Sequence, residues 1–292
     1  MASEFVFEAI GTAWKIVIND DLPAIEAARL LAEIRERIHA FDTHYSRFRD
    51  DSLVMQMSRE AGIYTLPSDA EPLFDLYKEV YELTGGLVTP LIGQLLSDAG
   101  YDASYSLTPQ LRLIAPPRWE DALRYEFPKL QILTPVLLDL GAAGKGYLVD
   151  IVSDIIREAG VSSFVVNAGG DICAYDEAGT GIRVALEHPD DPAQAIGVAT
   201  IANSSICGSS GNRRRWGEYH HIMNPETLSS PSHIRALWVV ADSTLLADAL
   251  ATCLFFTNPS ILNERYRYEY LILNDDYAVE KSNGFPAELF TS

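Results

Sequence analysis

Residues 137–150 read LLDLGAAGKGYLVD, and this stretch decides how the middle of the chain folds. An apolar segment that predicts a strand ends on Asp139 and passes into a turn of small residues that carries Lys145. Glycines and alanines let backbone N–H and C=O groups approach a ligand closely, and the lysine adds positive charge where a helix begins. The stretch therefore predicts a strand, a turn suited to an anionic ligand, and a helix that ends at Gly160. A plain turn with a solvated lysine is the alternative.

A pair of oxygen-bearing side chains lies late in the chain, in the sequence ADALAT at residues 247–252. Asp248 and Thr252 are one helical turn apart, so a helix places both side chains on one face. Hard cations such as Mg²⁺ bind carboxylate and hydroxyl oxygens. The pair predicts a metal site if this helix meets the small-residue turn. An ordinary surface carboxylate and a packing threonine are the alternative.

The hydrophobic pattern around these motifs predicts an α+β protein. Alternating apolar residues on both sides of Gly11 predict a hairpin, and a long amphipathic helix follows Pro23. Two further helices are predicted, at residues 71–83 and 243–256. Strands are predicted at residues 164–167, 183–187, 196–201, 236–241 and 268–273. Several strands are close enough in sequence to form hairpins, which favours α+β over a doubly wound parallel sheet.

Composition narrows the class of protein. A chain of 292 residues that is 48% hydrophobic and 10% aromatic is globular. The net charge of −19 opposes long-range attraction to nucleic acid or to an anionic membrane, so neither is expected as a partner. The cluster Arg213–Arg215 could contact a phosphate or form a solvated loop. Three isolated cysteines indicate neither a zinc knuckle nor a disulfide framework.

Two segments of the chain are interpreted as irregular. Residues 46–52, SRFRDDS, are expected to form a polar loop after the first long helix. Residues 106–128 hold four prolines without sustained periodicity, which is typical of a surface excursion or a linker between lobes. No stretch is apolar enough to span a bilayer, and residues 1–11 do not resemble a signal peptide. We expect a cytoplasmic protein; an exported protein whose leader has been removed is the alternative.

Five segments taken together carry a family resemblance. They are YSRFRDDS (45–52), GGLVTPLIGQLL (85–96), LDLGAAGKGYLVD (138–150), FVVNAGGDI (164–172), and EYHHIMNPET (218–227) with ADALAT (247–252). In this order and at these spacings they resemble the ApbE family, the FAD:protein FMN transferases. The resemblance runs from Gly11 to about Phe256. It implies that residues 1–292 form one α+β domain of two lobes, T-fold-like, that binds FAD between the lobes with Mg²⁺ at the diphosphate.

The resemblance also implies a reaction and roles for individual residues. The family transfers FMN from FAD to a Thr or Ser hydroxyl of an acceptor flavoprotein and releases AMP, while some members hydrolyse FAD to FMN and AMP. The implied metal ligands are the side chains of Asp248 and Thr252 and the backbone carbonyl of Ala142. His221 matches the histidine of the family's HI-x-x-P motif and is the candidate general base, and its neighbour His220 is expected on the other face of a strand.

The remaining implied residues contact FAD. Lys145 would meet a phosphate or a flavin-side group, and Asp171 would orient the ligand or the lysine, although it could equally form a turn. The other implied contacts are Gly11, Thr12, Tyr45, Ser46, Thr89, Ser210, Gly211 and Ile222. A plain turn also explains Ser210 and Gly211, and core packing also explains Tyr45.

The sequence departs from the family pattern at four positions. Thr89 stands where an acidic or amide residue is usual, and Ile10 stands in place of a methionine. Asn224 replaces an aspartate, and Leu228 replaces a glycine that can take positive φ without strain. Two alternatives to protein flavinylation therefore stay open: an FAD pyrophosphatase, and an FAD-binding protein without turnover.

Overall fold

The computed structural model describes residues 3–212 and 214–290, so Arg213 of the basic cluster lies outside the described residues. The strands are β1 (Ser3–Ala9), β2 (Thr12–Ile18), β3 (Gly62–Thr65), β4 (Leu123–Glu126), β5 (Lys129–Ile132), β6 (Ser163–Ala168), β7 (Asp171–Asp176), β8 (Ile182–His188), β9 (Asp191–Ile201), β10 (Ser204–Ser210), β11 (Arg215–Trp216), β12 (Tyr219–His220), β13 (Ile234–Ala241), β14 (Glu269–Asn274), β15 (Val279–Lys281) and β16 (Ala287–Leu289). The α-helices are α1 (Ala24–Tyr45), α2 (Leu53–Met57), α3 (Glu71–Leu83), α4 (Gly93–Asp98), α5 (Trp119–Ala122), α6 (Gly144–Glu158), α7 (Thr244–Cys253) and α8 (Pro259–Asn263), and Pro90–Ile92 form a 3₁₀ turn.

An eight-stranded sheet forms the centre of the fold, with the order β1-β2-β6-β7-β10-β13-β14-β15. Every neighbouring pair in it is antiparallel. Strand β2 shows that one face of this sheet is covered: Trp14, Ile16 and Ile18 are fully buried, whereas the residues between them are exposed or partly exposed. The α+β class predicted from the sequence is confirmed by this combination of antiparallel sheets and packed helices.

Helices α1, α6 and α7 pack together on the buried face of the sheet. In α1, buried residues recur every three or four positions, at Leu30, Ile34, Ile38, Phe41 and Tyr45, so one stripe of the helix faces the core. A sheet of order β16-β9-β8 covers the other face through a second apolar cluster. The small sheet β3-β5-β4 packs beside α3, where the rings of Phe74 and Tyr125 lie 5.7 Å apart.

Several sequence predictions need correction. Residues 135–140 form no strand: Leu138 and Leu140 are buried, but the Asp139 amide donates to the Pro90 carbonyl at 2.8 Å rather than joining a ladder. The late helix is shorter than predicted, because Ser243 caps its first turn and the regular helix ends at Cys253. Strands β7 and β10 were not predicted, because central strands buried on both faces lack the alternating pattern that reveals a half-buried strand.

The proline-rich segment 106–128 has two unlike parts. Residues 106–118 contain no regular element, and most of them are exposed. Residues 119–126 form α5 and β4, in which Trp119, Ala122 and Leu123 are buried in the main core. Among residues 3–212 and 214–290, no helix is long and apolar enough to cross a membrane.

Candidate active site

A cavity of about 670 Å³ lies where α1, the turn before α6, the β10 end and α7 meet. Its volume is within the range of small-molecule and cofactor sites. All of the residues predicted to bind FAD or metal, and His221, border this cavity except Asp171 and Gly211. Asp171 approaches it through Lys145, and Gly211 packs behind it against the ring of His220. Folding therefore brings segments that are distant in sequence to one site.

The glycine-rich turn and the late acidic helix are in direct contact. The Gly146 amide donates a hydrogen bond to Asp248 Oδ2 at 2.8 Å. Only glycine fits at position 146, because a Cβ there would overlap the Thr244 carbonyl and lie 2.6 Å from Asp248 Cβ. Asp150 completes the junction: its two oxygens accept from the Thr244 and Leu245 amides at 2.8 and 2.7 Å, which caps α7. The junction fixes the Asp248 carboxylate at the cavity wall.

Asp248 is a buried carboxylate with an incomplete counter-charge. Its side chain is 8% exposed, and burial raises the pKa of Asp248 while Lys145 opposes the rise. Lys145 Nζ lies 3.9 Å from Asp248 Oδ1, but it forms its closer ion pair with Asp171. Asp171 thus holds the lysine by an ion pair. A cation beside Asp248 would supply the charge that the lysine supplies only in part.

The oxygen donors in this region fit a hard cation. Asp248 and Thr252 both border the cavity, and so does Ala142 in the turn, whose carbonyl is the third predicted ligand. The described part of the chain contains no group of three or more His, Cys, Asp and Glu side chains that could hold a metal. A metal ion here would therefore complete its shell with ligand oxygens and water, which Mg²⁺ tolerates.

The two adjacent histidines have different environments. His221 borders the cavity, and its Nδ1 has no hydrogen-bond partner among the described residues. Burial, assisted by the charges of Arg214 and Lys145 and by His220, lowers the pKa of His221 to about 3. The His220 ring is satisfied away from the cavity: Nδ1 accepts from the Ile222 amide at 3.2 Å and Nε2 lies 2.9 Å from the Pro231 carbonyl oxygen. His221 is therefore the histidine with a ring nitrogen free to accept a proton.

Several predicted FAD contacts already have local hydrogen bonds. The Thr89 hydroxyl accepts from the Leu91 amide at 3.2 Å and caps the 3₁₀ turn. Ser210 Oγ donates to the Arg235 carbonyl at 3.0 Å, and Ser46 Oγ accepts from the Phe48 amide at 3.3 Å. These side chains hydrogen-bond to backbone groups and so stabilise the segments that form the cavity wall.

The other predicted contacts line the wall through the fold itself. Gly11 has a φ of 72° in the β1–β2 turn, a conformation natural to glycine. Thr12 lies against Gly169, where a Cβ would overlap its hydroxyl. Tyr45 and Ile222 are each 5% exposed, so both side chains are packed in the core. Core packing was the alternative interpretation of Tyr45.

Two departures from the family pattern have a structural explanation. Asn224 Oδ1 accepts from the Glu226 and Thr227 amides at 2.8 and 3.0 Å. An aspartate oxygen could make the same bonds, so the amide preserves the turn. Leu228 takes a φ of 56°, the left-handed conformation that glycine adopts without strain. The Asn224 change therefore preserves the hydrogen bonds of the turn, whereas Leu228 adopts a backbone conformation that is strained for leucine.

The polar-loop interpretation of residues 46–52 is wrong for Arg47. Its side chain is 2% exposed, and Nε donates to Asp139 Oδ2 at 2.5 Å. The guanidinium carbon lies 4.2 Å from the ring centroid of Phe48 and 4.8 Å from that of Tyr101. Asp139 Oδ1 also accepts from the Gly141 amide at 2.7 Å, so Arg47 anchors the turn through one carboxylate. The one signal in the sequence was an aspartate after an apolar run, which needs a partner when buried.

We expect Arg47→Met to destabilise the protein by about 2 kcal/mol, because it leaves the partly buried Asp139 without its cation while the methionine fills part of the space between the rings. Urea denaturation measures the change. Arg157→Met is the matched control: Arg157 also pairs with an aspartate, Asp154, and lies over the Tyr175 ring at 4.7 Å, but its side chain is 44% exposed. Equal losses in the two variants would contradict the anchoring role of Arg47.

Comparisons of the sequence with known proteins identify a family. A model of the ApbE family matches residues 10–270. The chain is 26% identical to an FAD:protein FMN transferase of Escherichia coli K12, over 90% of this chain and 81% of that protein. It is 24% identical to an FAD:protein FMN transferase of Klebsiella pneumoniae, over 92% of this chain and 83% of that protein.

Solved structures share the fold at low sequence identity. The ApbE protein of Thermotoga maritima superposes with a TM-score of 0.85 at 20% identity, covering 99% of this chain and 100% of that one. The flavin transferase ApbE of Vibrio cholerae gives a TM-score of 0.80 at 20% identity, covering 97% and 96%. Because the family match spans most of the sequence and the fold agrees along its length, the chain belongs to the ApbE family.

Proposed function

We propose that the chain is an FAD:protein FMN transferase that uses Mg²⁺ and a flavoprotein acceptor. The observation that supports this most is the contact between the glycine-rich turn and α7, which presents the Asp248 carboxylate at the wall of a ligand-sized cavity. Family membership and the names of the relatives support the same reaction.

The proposed reaction exchanges one phosphoester bond for another. The acceptor hydroxyl attacks the phosphorus of the FMN half of FAD, a new P–O bond forms, and the P–O bond that joins FMN to AMP breaks. The hydroxyl proton passes to the imidazole of His221, and AMP leaves with the bridging oxygen. In reactions of this kind, positioning and charge neutralisation supply most of the rate.

The residues of the cavity divide this work. Lys145 and Arg214 border the cavity and offer positive charge to the diphosphate. Asp248, Thr252 and the Ala142 carbonyl would hold Mg²⁺, which neutralises phosphate charge and makes the phosphorus easier to attack. Asp171 holds Lys145 in place through their ion pair. His221 accepts the proton of the attacking hydroxyl.

We expect His221→Asn to lower the turnover number for FMN transfer by about a hundredfold or more, because the acceptor hydroxyl loses its base. FAD affinity, measured by quenching of flavin fluorescence, should change by less than about threefold, since the base acts on the acceptor. His233→Asn is the control, because His233 is exposed and does not border the cavity. An unchanged turnover number in His221→Asn would remove this residue from the mechanism.

The low pKa of His221 predicts an unusual pH dependence. Its burial and its cationic neighbours lower the pKa of His221 to about 3, so the free enzyme holds the ring neutral above that pH. The kcat/KM profile reports the free enzyme and should therefore show no acidic limb from His221 between about pH 5 and 8. An acidic limb near the ordinary histidine pKa that disappears in His221→Asn would contradict this assignment.

The function is tested by incubating the protein with FAD and Mg²⁺, with and without candidate acceptor flavoprotein domains. A gel scan for flavin fluorescence then identifies a covalently labelled acceptor, and chromatography identifies AMP. We expect a fluorescent acceptor band and one AMP for each FMN transferred. Free FMN and AMP without labelled acceptor would indicate an FAD pyrophosphatase, and intact bound FAD would indicate a binding protein.

A further inference from the structure

Residues 101–118, here called the mouth loop, contribute Tyr101 and Tyr105 to the lining of the cavity. Tyr105 lines the cavity and stacks on Phe48, with ring centroids 5.3 Å apart and planes at 11°. It also contacts the ring of Tyr101 edge-on at 5.5 Å. Leu113 is partly buried against the cluster that contains Tyr101, which anchors the second half of the loop. The loop is therefore part of the site's entrance.

The mouth loop exposes large apolar side chains. Tyr105 is 51% exposed, Leu107 46%, Ile114 58%, and Leu111 projects fully into solvent. Single exposed apolar residues are common, but several of them within one short segment at the mouth of a cavity are typical of a binding surface.

The mouth loop is held in a strained conformation. Tyr105 and Leu107 have φ angles of 52° and 50°, which non-glycine residues adopt only at a cost of about 1–3 kcal/mol. Asp102 Oδ1 accepts from the Ser104 and Ser106 amides at 2.9 and 3.0 Å, and bonds from these two serines lower the pKa of Asp102 to about 2. The Leu107 amide donates to the Gly100 carbonyl at 2.9 Å. Such a loop binds a partner with little further loss of conformational entropy.

The charge at the mouth differs from that of the whole chain. Although the net charge is −19, the mouth loop carries Arg112 and Arg118 against the single acidic residue Asp102. Trp216 holds a second basic segment beside the mouth loop. The Trp216 ring stacks on that of Tyr101 with centroids 5.7 Å apart, and Trp216 Nε1 donates to the Ala99 carbonyl at 2.6 Å. Arg215, next to Trp216, is exposed and does not border the cavity. A partner with acidic side chains would complement this entrance.

We propose that the mouth loop together with Arg215 is the docking surface for the acceptor flavoprotein domain, and that the acceptor presents apolar contacts with an acidic flank around its reactive hydroxyl. The inference rests on the proposed function, because a protein hydroxyl must pass this entrance to reach the cavity. Exposure, backbone strain and positive charge coincide here in an otherwise acidic chain, and each is expected of a preorganised recognition surface.

The test compares two double variants with the acceptor domain that becomes fluorescent in the transfer assay. Leu111→Ser with Ile114→Ser removes the apolar contact. Ile25→Ser with Ile63→Ser is the matched control, because these side chains are 80% and 67% exposed and lie on α1 and β3, outside the mouth loop. We expect the first pair to raise the KM for the acceptor at least about tenfold, with kcat and FAD affinity little changed. The control pair should stay within about twofold of the unmodified protein.

Charge is tested separately by ionic strength. Raising the salt concentration about tenfold should increase the KM for the acceptor in the unmodified protein, and this dependence should weaken in Arg112→Ser with Arg215→Ser. An unchanged acceptor KM in Leu111→Ser with Ile114→Ser would overturn the proposal. Sedimentation gives a second test of the occupant. If the unmodified protein is a dimer and Leu111→Ser with Ile114→Ser is a monomer with an unaltered acceptor KM, the surface binds a second copy and the proposal is overturned. Failure of the unmodified protein to label any acceptor is a different result and removes the proposed function itself.

Discussion

Replacing Asp248 by alanine is expected to lower metal-dependent FMN transfer by about a thousandfold or more. The change removes the one carboxylate among the three proposed Mg²⁺ ligands, and it also leaves the Gly146 amide without its acceptor. The rate is measured as AMP released and as flavin attached to the acceptor, over a range of Mg²⁺ concentrations. Full activity in Asp248→Ala would reject the proposed metal site.

Asp248→Asn separates charge from shape. The amide oxygen can still accept from Gly146, so the junction between α6 and α7 should persist, while the negative charge that attracts a cation is lost. We expect activity to fall nearly as far as in Asp248→Ala, with a smaller loss of thermal stability. Asp154→Ala is the control for an acidic residue on a neighbouring helix face, because its side chain is 64% exposed and pairs with Arg157. Recovery of most activity in Asp248→Asn would indicate that the residue is structural.

Gly146→Ala is expected to destabilise the protein by at least about 3 kcal/mol. A methyl group at this position would overlap the Thr244 carbonyl and lie 2.6 Å from Asp248 Cβ. Both obstacles are at or near the backbone of α7, so no side-chain rotation relieves them and the helices must separate. The midpoint of urea denaturation measures the loss, and the variant should also bind Mg²⁺ and FAD poorly because Asp248 moves with α7.

Gly144→Ala is the matched stability control, two residues earlier in the same helix. A Cβ at Gly144 would meet its nearest neighbours at 3.7 Å, which is ordinary van der Waals contact. We expect Gly144→Ala to change the free energy of unfolding by less than about 1 kcal/mol. A Gly146→Ala protein as stable as Gly144→Ala would show that the close contact between α6 and α7 is not a constraint.

The sequence predicted the elements whose periodicity is strong. The helix at residues 71–83 agrees with α3 at both ends, because Pro72 fits a helix start and Gly85 and Gly86 follow its end. The hairpin around Gly11 agrees with β1 and β2 for a similar reason, since apolar residues recur at every second position on both sides of Gly11.

The order of strands could not be predicted from the pattern of residues. β2 pairs with β6 across more than a hundred intervening residues, and which strands meet depends on how α1 and α6 share the sheet's buried face. The apolar run before Asp139 was wrongly predicted to form a strand, because buried apolar residues also occur in a connecting segment. Burial alone does not distinguish the two.

The site residues were found by motif, and the structure adds the contacts that position them. Sequence spacing paired Asp248 with Thr252 but gave no reason for glycine at position 146, which only the approach of α7 explains. Arg47 was missed because a charged residue in a short polar stretch predicts exposure. Its burial depends on Phe48, Tyr101 and Asp139, which come from three separate segments.

In the proposed site, the glycine-rich turn and α7 hold one divalent cation against the diphosphate of FAD. A crystal of the protein with Mn²⁺ and ADP tests it most directly, because the anomalous signal locates the metal and ADP supplies the diphosphate without the flavin. We expect one peak about 2 Å from oxygens of Asp248, Thr252 and the Ala142 carbonyl, in contact with ADP. A metal peak elsewhere, or ADP bound in this cavity with no metal beside Asp248, would contradict it.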